Sequence, residues 1–205
     1  MNLHIPLLLG ALLLAPTVLA ASTVDLAVKG LITPIACTPS LSSNNVDYGK
    51  LSAKDLKPTS DTYLPLTVLK LIVSCDAKTR LAIRALDNRL GSAPDGWDDD
   101  FGLGLINAGT QKVGGYQLKL LNPTADSNPG QAIRSFTGVD DWARDSIWLP
   151  SYYMSVGDGT TDQPTELQVL TADLRIAPAI VRADSLDLSN EVAIDGSATL
   201  EVKYL

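Results

Sequence analysis

Histidine is nearly missing from this chain of 205 residues: the one imidazole is His4. Everything downstream therefore lacks the base of a Ser-His-Asp triad, the partner of a Cys-His pair and a histidine ligand for zinc. Glutamate is scarce as well, confined to Glu166, Glu191 and Glu201, each isolated. Aspartate is plentiful, so a carboxylate-pair glycosidase survives on composition alone, but the usual catalytic parts are absent and the chain reads as a non-enzyme. Lys and Arg are scattered singly and the formal net charge is −7. Without a basic stripe, neither nucleic acid nor an anionic membrane surface is expected as a partner, and the acidic excess reads as a solvated exterior. Phosphate has no cradle, since Gly102-Leu-Gly104 lacks the third glycine and the helix of a dinucleotide site. No cofactor and no metal are expected.

What is present begins with an export signal. Ile5 to Leu19 is apolar apart from Thr17, and Val18-Leu19-Ala20 supplies small residues at the −3 and −1 positions of a cleavage site. The n-region departs from pattern in having no Lys or Arg. A membrane anchor is the alternative, but the run is short for a span and is interrupted by Pro6, Gly10 and Pro16. No cysteine follows it, which argues against a lipid anchor. We therefore expect residues 1–20 to be a cleaved signal and 21–205 to form one domain, long enough for a sizeable core. Export gives the two cysteines a meaning: in an oxidising compartment Cys37 and Cys75 most simply form one bridge, two free buried thiols being the alternative.

Strand signals dominate the rest. Val24, Leu26, Val28, Gly30 and Ile32 share one parity, as in a half-buried strand. Leu64 to Cys75 is apolar on both parities, which predicts an interior strand, and Arg80 to Leu86 predicts the next. Gly102 to Ile106, a polar turn over 107–112 and Gly115 to Leu120 read as a hairpin. From Asn122 to about Pro164 the pattern dissolves into turn residues that carry Trp142, Trp148, Tyr152 and Tyr153. Alternation returns over Leu170 to Ile176 and is expected to stop at Pro178. About seven short strands with turn signals between them predict a single all-β antiparallel sandwich.

The cleanest alternation closes the chain. Val192, Ile194, Gly196, Ala198, Leu200, Val202 and Tyr204 fall on one face, with mostly polar residues between them, predicting one strand over Val192–Leu205. A strand whose outer edge has no following strand invites pairing with another chain. The acidic run Asp95-Gly-Trp97-Asp98-Asp99-Asp100 is the densest charge cluster; its spacing does not follow the EF-hand series, and we read it as a solvated loop rather than a calcium site.

Taken in order, several motifs resemble the subunits of chaperone–usher pili. They are Gly30 seven residues ahead of Cys37, the apolar run Leu66 to Cys75, Gly102-Leu-Gly104-Leu-Ile106, and the closing strand with penultimate Tyr204. Gly-Ser-Ala-Thr-Leu-Glu-Val-Lys-Tyr-Leu with Cys-Asp-Ala-Lys-Thr-Arg is similar to a less studied branch of fimbrial-like exported bacterial proteins, often described only as a domain of unknown function. The resemblance implies an immunoglobulin-like sandwich of the pilin type that lacks its seventh strand. It implies a groove edged by Leu200, Val202, Tyr204 and Leu205, filled first by a periplasmic pilus chaperone. At an outer-membrane usher, a strand from a neighbouring fimbrial subunit would then replace the chaperone strand. It also implies passage through the periplasm to a fimbrium at the cell surface, as a structural or tip subunit.

Only Ala21 to Thr23 lie between the expected cleavage site and the segment carrying Val24, Leu26, Val28, Gly30 and Ile32. That segment is accordingly a candidate donor strand or first strand. In a tip subunit Trp142, Trp148, Tyr152 and Tyr153 would be candidate anchors for a host or surface receptor; that they fill the core and cover its end is the reading we favour. A self-contained periplasmic or secreted ligand-binding sandwich that never polymerises is the alternative for the whole chain.

Overall fold

The computed structural model describes residues 36–205, together with Ala27. The expected signal at 1–20 and the candidate donor segment (Val24, Leu26, Val28, Gly30, Ile32) lie outside the described residues. In chain order the strands are β1 (Cys37–Leu41), β2 (Thr62–Tyr63), β3 (Thr67–Thr79), β4 (Leu81–Asp87) and β5 (Phe101–Gly102). Next come β6 (Leu105–Ile106), β7 (Gln111–Lys112), β8 (Gly114–Ala125), β9 (Asn128–Pro129) and β10 (Gln131–Ser135). The last are β11 (Ala143–Arg144), β12 (Ile147–Trp148), β13 (Tyr153–Gly157), β14 (Leu167–Ile180) and β15 (Ala198–Tyr204). Two single turns of 3₁₀ helix, Ala53–Asp55 and Ala183–Ser185, are the only helical elements among the described residues.

All pairings are antiparallel, and the strands make a two-sheet sandwich, as the alternation predicts. One sheet has the order β1-β3-β14-β8-β12, with β2 beside β14 and β5 and β9 beside β8; the other has the order β11-β10-β13-β4-β15. Side chains of alternate parity meet between them. Leu71 and Val73 of β3, Leu120 of β8 and Leu170 of β14 pack against Leu81, Ile83 and Ala85 of β4 and Met154 and Val156 of β13. Each of these is essentially inaccessible to solvent. Fully burying one such side chain stabilises the fold by about 1.5–3 kcal/mol, so this layer supplies the main driving force.

Three expectations need correcting. β3 is buried on one face only: Leu69, Leu71, Val73 and Cys75 point inward, whereas Leu66, Val68 and Ile72 are 60%, 56% and 37% exposed. β3 is interior to its sheet, between β1 and β14, but the apolar residues of its second parity mark an open outer face rather than burial on both sides. β14 also does not stop at Pro178. Within a strand the N–H and C=O of one residue point to the same edge. The Pro178 carbonyl accepts from Leu64 N–H at 3.0 Å, in the interval between β2 and β3, so the missing N–H also faces that edge and costs only the reciprocal bond to Leu64, leaving the ladder to β8 intact. Finally, the region 122–164 is not structureless: β10 and β13 extend the second sheet beyond β4. Their outward residues, Ile133 and Tyr153, join Ala82 and Trp142 in a small second core on that sheet's outer face.

The Cys37–Cys75 disulfide is formed between directly paired residues of β1 and β3, with Cα atoms 4.0 Å apart. It fixes β1 to the sheet at the strand end where Cys37 N–H also donates to the Tyr204 hydroxyl at 2.8 Å. The bridge closes a loop of 38 residues. Replacing both cysteines by alanine should therefore lower the unfolding free energy by about 3–4 kcal/mol in urea titrations, with a steeper transition, because the denatured chain without its cross-link exposes more surface.

Candidate functional site: the open edge of the last strand

β15 pairs with β4 over its whole length, from Ala198 opposite Asp87 to Tyr204 opposite Leu81. On its other side no strand pairs with it among the described residues. Leu200 and Val202 face inward and pack against the main core. Tyr204 remains 47% exposed and Leu205 44% exposed, the Tyr204 hydroxyl reaching across to β1 while Leu205 N–H donates to Arg80 O at 3.1 Å. The strand is shorter than the expected Val192–Leu205. Over 192–197 the backbone leaves the ladder: Asp195 N–H bonds to Leu103 O at 2.9 Å, and Arg89 grips the Asp195 carboxylate at 2.7 Å. Val192 and Ile194 keep their inward parity and still pack on the core, so alternation there reports burial without a strand.

Between β15 and β1 runs a groove of about 380 Å³. Its floor is core of the first sheet: Leu69, Leu118, Leu174 and Ile176. Leu41, Val46 and Tyr48 form one wall, and Ile194, Ala198 and Leu200 the other. Tyr48 is held by its hydroxyl, which donates to Pro65 O at 3.1 Å. Gly196 closes in tightly, because a Cβ there would stand 2.8 Å from Leu103 Cδ2 and 2.9 Å from Tyr116 Cε1. Burial pushes the Tyr116 phenol well above its ordinary value. Past Ile194 the depression continues over Leu51, Leu56, Val113, Ile180, Leu186 and Val192, with a further volume of about 300 Å³. An apolar trough beside an unpaired strand edge can take an extended chain, whose main chain bonds to β15 and whose alternate side chains enter the trough.

Leu200, Val202 and Tyr204 lie on β15, but of the four expected groove-edge residues Leu200 alone lines the trough; Leu205 follows the strand and lines a separate depression with Arg80 and Trp142. Ile194, Val46 and Tyr48 also line the trough; Ile194 belongs to the inward face expected of the last strand, whereas Val46 and Tyr48, in a turn-rich stretch without alternation, were not singled out from sequence. The four candidate receptor aromatics do not present themselves to solvent as ring faces. Trp148 is fully buried, with its indole N–H donating to Tyr152 O at 3.0 Å, and Trp142 is 8% exposed, donating to Val139 O at 3.0 Å. Tyr152 meets the Phe136 ring and the Arg134 guanidinium, and Tyr153 lies between Arg84 and Lys203. The two tryptophans fill and cover, their indole N–H groups bonded to backbone carbonyls, while the two tyrosine rings pack against neighbouring side chains. Among the described residues, no group of three acidic, histidine or cysteine side chains converges on a metal position.

Residues 26–124 match the profile of a family described as "Protein of unknown function (DUF1120)". The chain is similar to that family over β1 to β8. An Escherichia coli (strain K12) protein named "Uncharacterized protein YhcF" is 26% identical over 236 aligned residues, which cover 97% of this chain and 98% of that protein. The family match takes in the β1 wall and the β3 and β8 parts of the groove floor and stops before β14 and β15; the alignment with the E. coli protein reaches them.

Beside β15 on the second sheet, the 135–142 loop is fastened by one carboxylate. Asp141 accepts hydrogen bonds from the Ser135 hydroxyl, from the Thr137 hydroxyl at 2.6 Å and from Phe136 N–H at 2.8 Å. These donors hold its carboxyl far below the ordinary value of 3.8, the Ser135 hydroxyl contributing most. A depressed carboxyl stabilises the fold above its unfolded pKa and ceases to do so as pH falls toward the folded value. The loop should therefore stay ordered at pH 5 and begin to lose order only below about pH 4, read from the amide signals of Phe136 and Thr137 by NMR; Asp141→Asn should flatten that acid limb.

Proposed function

We propose that this protein is a structural or tip subunit of a bacterial surface fimbria, assembled by donation of a strand into the groove beside β15. The single observation that carries this reading is the β15 edge: a terminal strand, unpaired on one side among the described residues, standing over a trough floored by core side chains. The arrangement of β1-β3-β14-β8 against β4-β15 supports a pilin-type, immunoglobulin-like sandwich without its seventh strand. On this reading the partners are a periplasmic pilus chaperone, an outer-membrane usher and neighbouring subunits. The chain is exported through the inner membrane, passes the periplasm and ends at the cell surface. Its role is assembly and adhesion rather than catalysis. The bridged cysteines leave no thiolate among the described residues, and the sequence beyond His4 holds no imidazole.

The test is occupancy of the groove. The mature chain is purified and mixed with a synthetic strand carrying the alternation of Val24, Leu26, Val28, Gly30 and Ile32, or with one whose inward positions are serine. At a hundredfold excess over Kd, the apolar strand should stabilise the fold by about 2.7 kcal/mol, a rise in Tm of about 5–10 °C for a domain of this size. The serine strand should have no effect. A monomer that is already stable, whose β15 amides exchange slowly without any added strand and whose Tm the peptide leaves unchanged, would sink this reading. It would favour a self-contained ligand-binding sandwich instead.

A further inference from the structure

The outer face of the first sheet carries a second concavity, of about 550 Å³, distinct from the groove. Its floor is made of small or polar residues, Ala177 and Ala179 on β14 and Gln117 on β8. Two aromatic residues wall it: Tyr63 on β2, 77% exposed, and Trp97 in the loop before β5. Trp97 lies down against β8 because position 115 is glycine. A Cβ there would stand 3.1 Å from Trp97 Cε3 and 3.0 Å from Asp100 Cβ. Turn bonds fix the loop, with Trp97 N–H donating to Pro94 O and Asp100 N–H to Trp97 O, both at 3.0 Å.

The rest of the lining is Asp61, Asp98, Asp99 and Asp100, with Gly96, and no Lys or Arg among the described residues lines it. Some other surface aspartates have cations beside them: Asp95 has Lys112, Asp173 has Lys70, Asp145 has Arg134 and Asp195 has Arg89; others, Asp141 and Asp158 among them, are held by hydroxyl and amide donors. None of the four in the concavity takes part in any of the ion pairs among the described residues. The Asp100 carboxyl is instead pushed above its ordinary value, by burial first and by Asp99 in addition, against a hydrogen bond with Gln117. Aromatic faces and unanswered carboxylates attract the same kind of ligand. A ring quadrupole draws a cation to its face, and an alkylated ammonium is weakly hydrated enough to leave water for it. A bare metal ion would need several converging oxygens, which are lacking among the described residues.

We propose that this concavity is a binding site for a small organic cation, an alkyl-substituted ammonium ion held against Tyr63 and Trp97 within the ring of aspartates. The site stands apart from the groove and does not rest on the fimbrial reading. The test titrates the mature chain, with and without the strand peptide, against tetramethylammonium and choline chlorides at constant ionic strength. The Trp97 indole and Gln117 side-chain NMR signals are followed. Saturable shifts centred on these residues are expected, with choline's neutral isostere 3,3-dimethylbutan-1-ol weaker by about tenfold. Tyr63→Ala, at an exposed position that does not hold the fold, and the double variant Asp98→Asn with Asp99→Asn should each weaken binding about tenfold. Asp55→Asn, at an exposed carboxylate elsewhere, should leave it unchanged. Equal binding of the neutral isostere overturns the proposal, as does the absence of saturable shifts at millimolar cation or a folded Tyr63→Ala variant that binds like the parent.

Discussion

β15 has a hydrogen-bonding neighbour on one side only among the described residues, and most of the molecule's functional character depends on that constraint. A central strand would satisfy both edges and seal the core behind it. Here β4 satisfies one edge, and the other looks across a trough to β1 and the extended segment after it. Backbone donors and acceptors left along such an edge are a template for a further strand. The trough behind it is apolar because the first sheet's inward side chains, Leu69, Leu118 and Leu174 among them, continue beneath it without a covering layer. The Cys37–Tyr204 bond ties the two sheets at one end, and the disulfide beside it keeps β1 from drifting away.

The two outer faces of the sandwich are treated differently. The second sheet is covered: the loop fastened by Asp141 brings Trp142 over Ala82, Ile133 and Tyr153, and Lys203 of β15 donates to Thr137 O and Gly138 O at 3.1 Å. Those bonds brace β15 from outside while leaving its free edge untouched. The first sheet is bare, with Val68 and Ile72 facing outward and the concavity between Tyr63 and Trp97 hollowed from the same face. Covering one face and opening the other gives the chain two separate surfaces, a trough at the sheet edge and a saucer on the sheet face.

Much of the architecture was legible in residue order. Strand signals located β4, β14 and the closing β15; the hairpin expected around a 107–112 turn appears as Gly102 paired with Gly115, with a short β6–β7 ladder taking Gln111 and Lys112 out of the turn; and two cysteines in a chain expected to be exported pointed to the bridge. Less legible was the stretch 122–164, because β9 to β13 are two to five residues long and carry too few periods for alternation to register. Trp142 and Trp148 looked equally suited to a receptor face or a core, since an aromatic residue carries no mark of which way it points. Tyr63 and Trp97 escaped notice as a pair because they lie far apart in sequence and line one concavity only in the folded sheet.

By itself the sequence determined the class of fold, the pairing of the cysteines and the inward parity of Leu200, Val202 and Tyr204. Each of these follows from local periodicity or from simple counting. Tertiary structure alone decided that β15 begins only at Ala198 and pairs with β4, that β3 is open on its outer face, and that Pro178 can sit inside a long strand. It also decided which aspartates are answered by a cation and which are left around Trp97. The reason is the same throughout: alternation fixes the side to which a residue points, whereas what stands opposite it is set by strands that come from elsewhere in the chain.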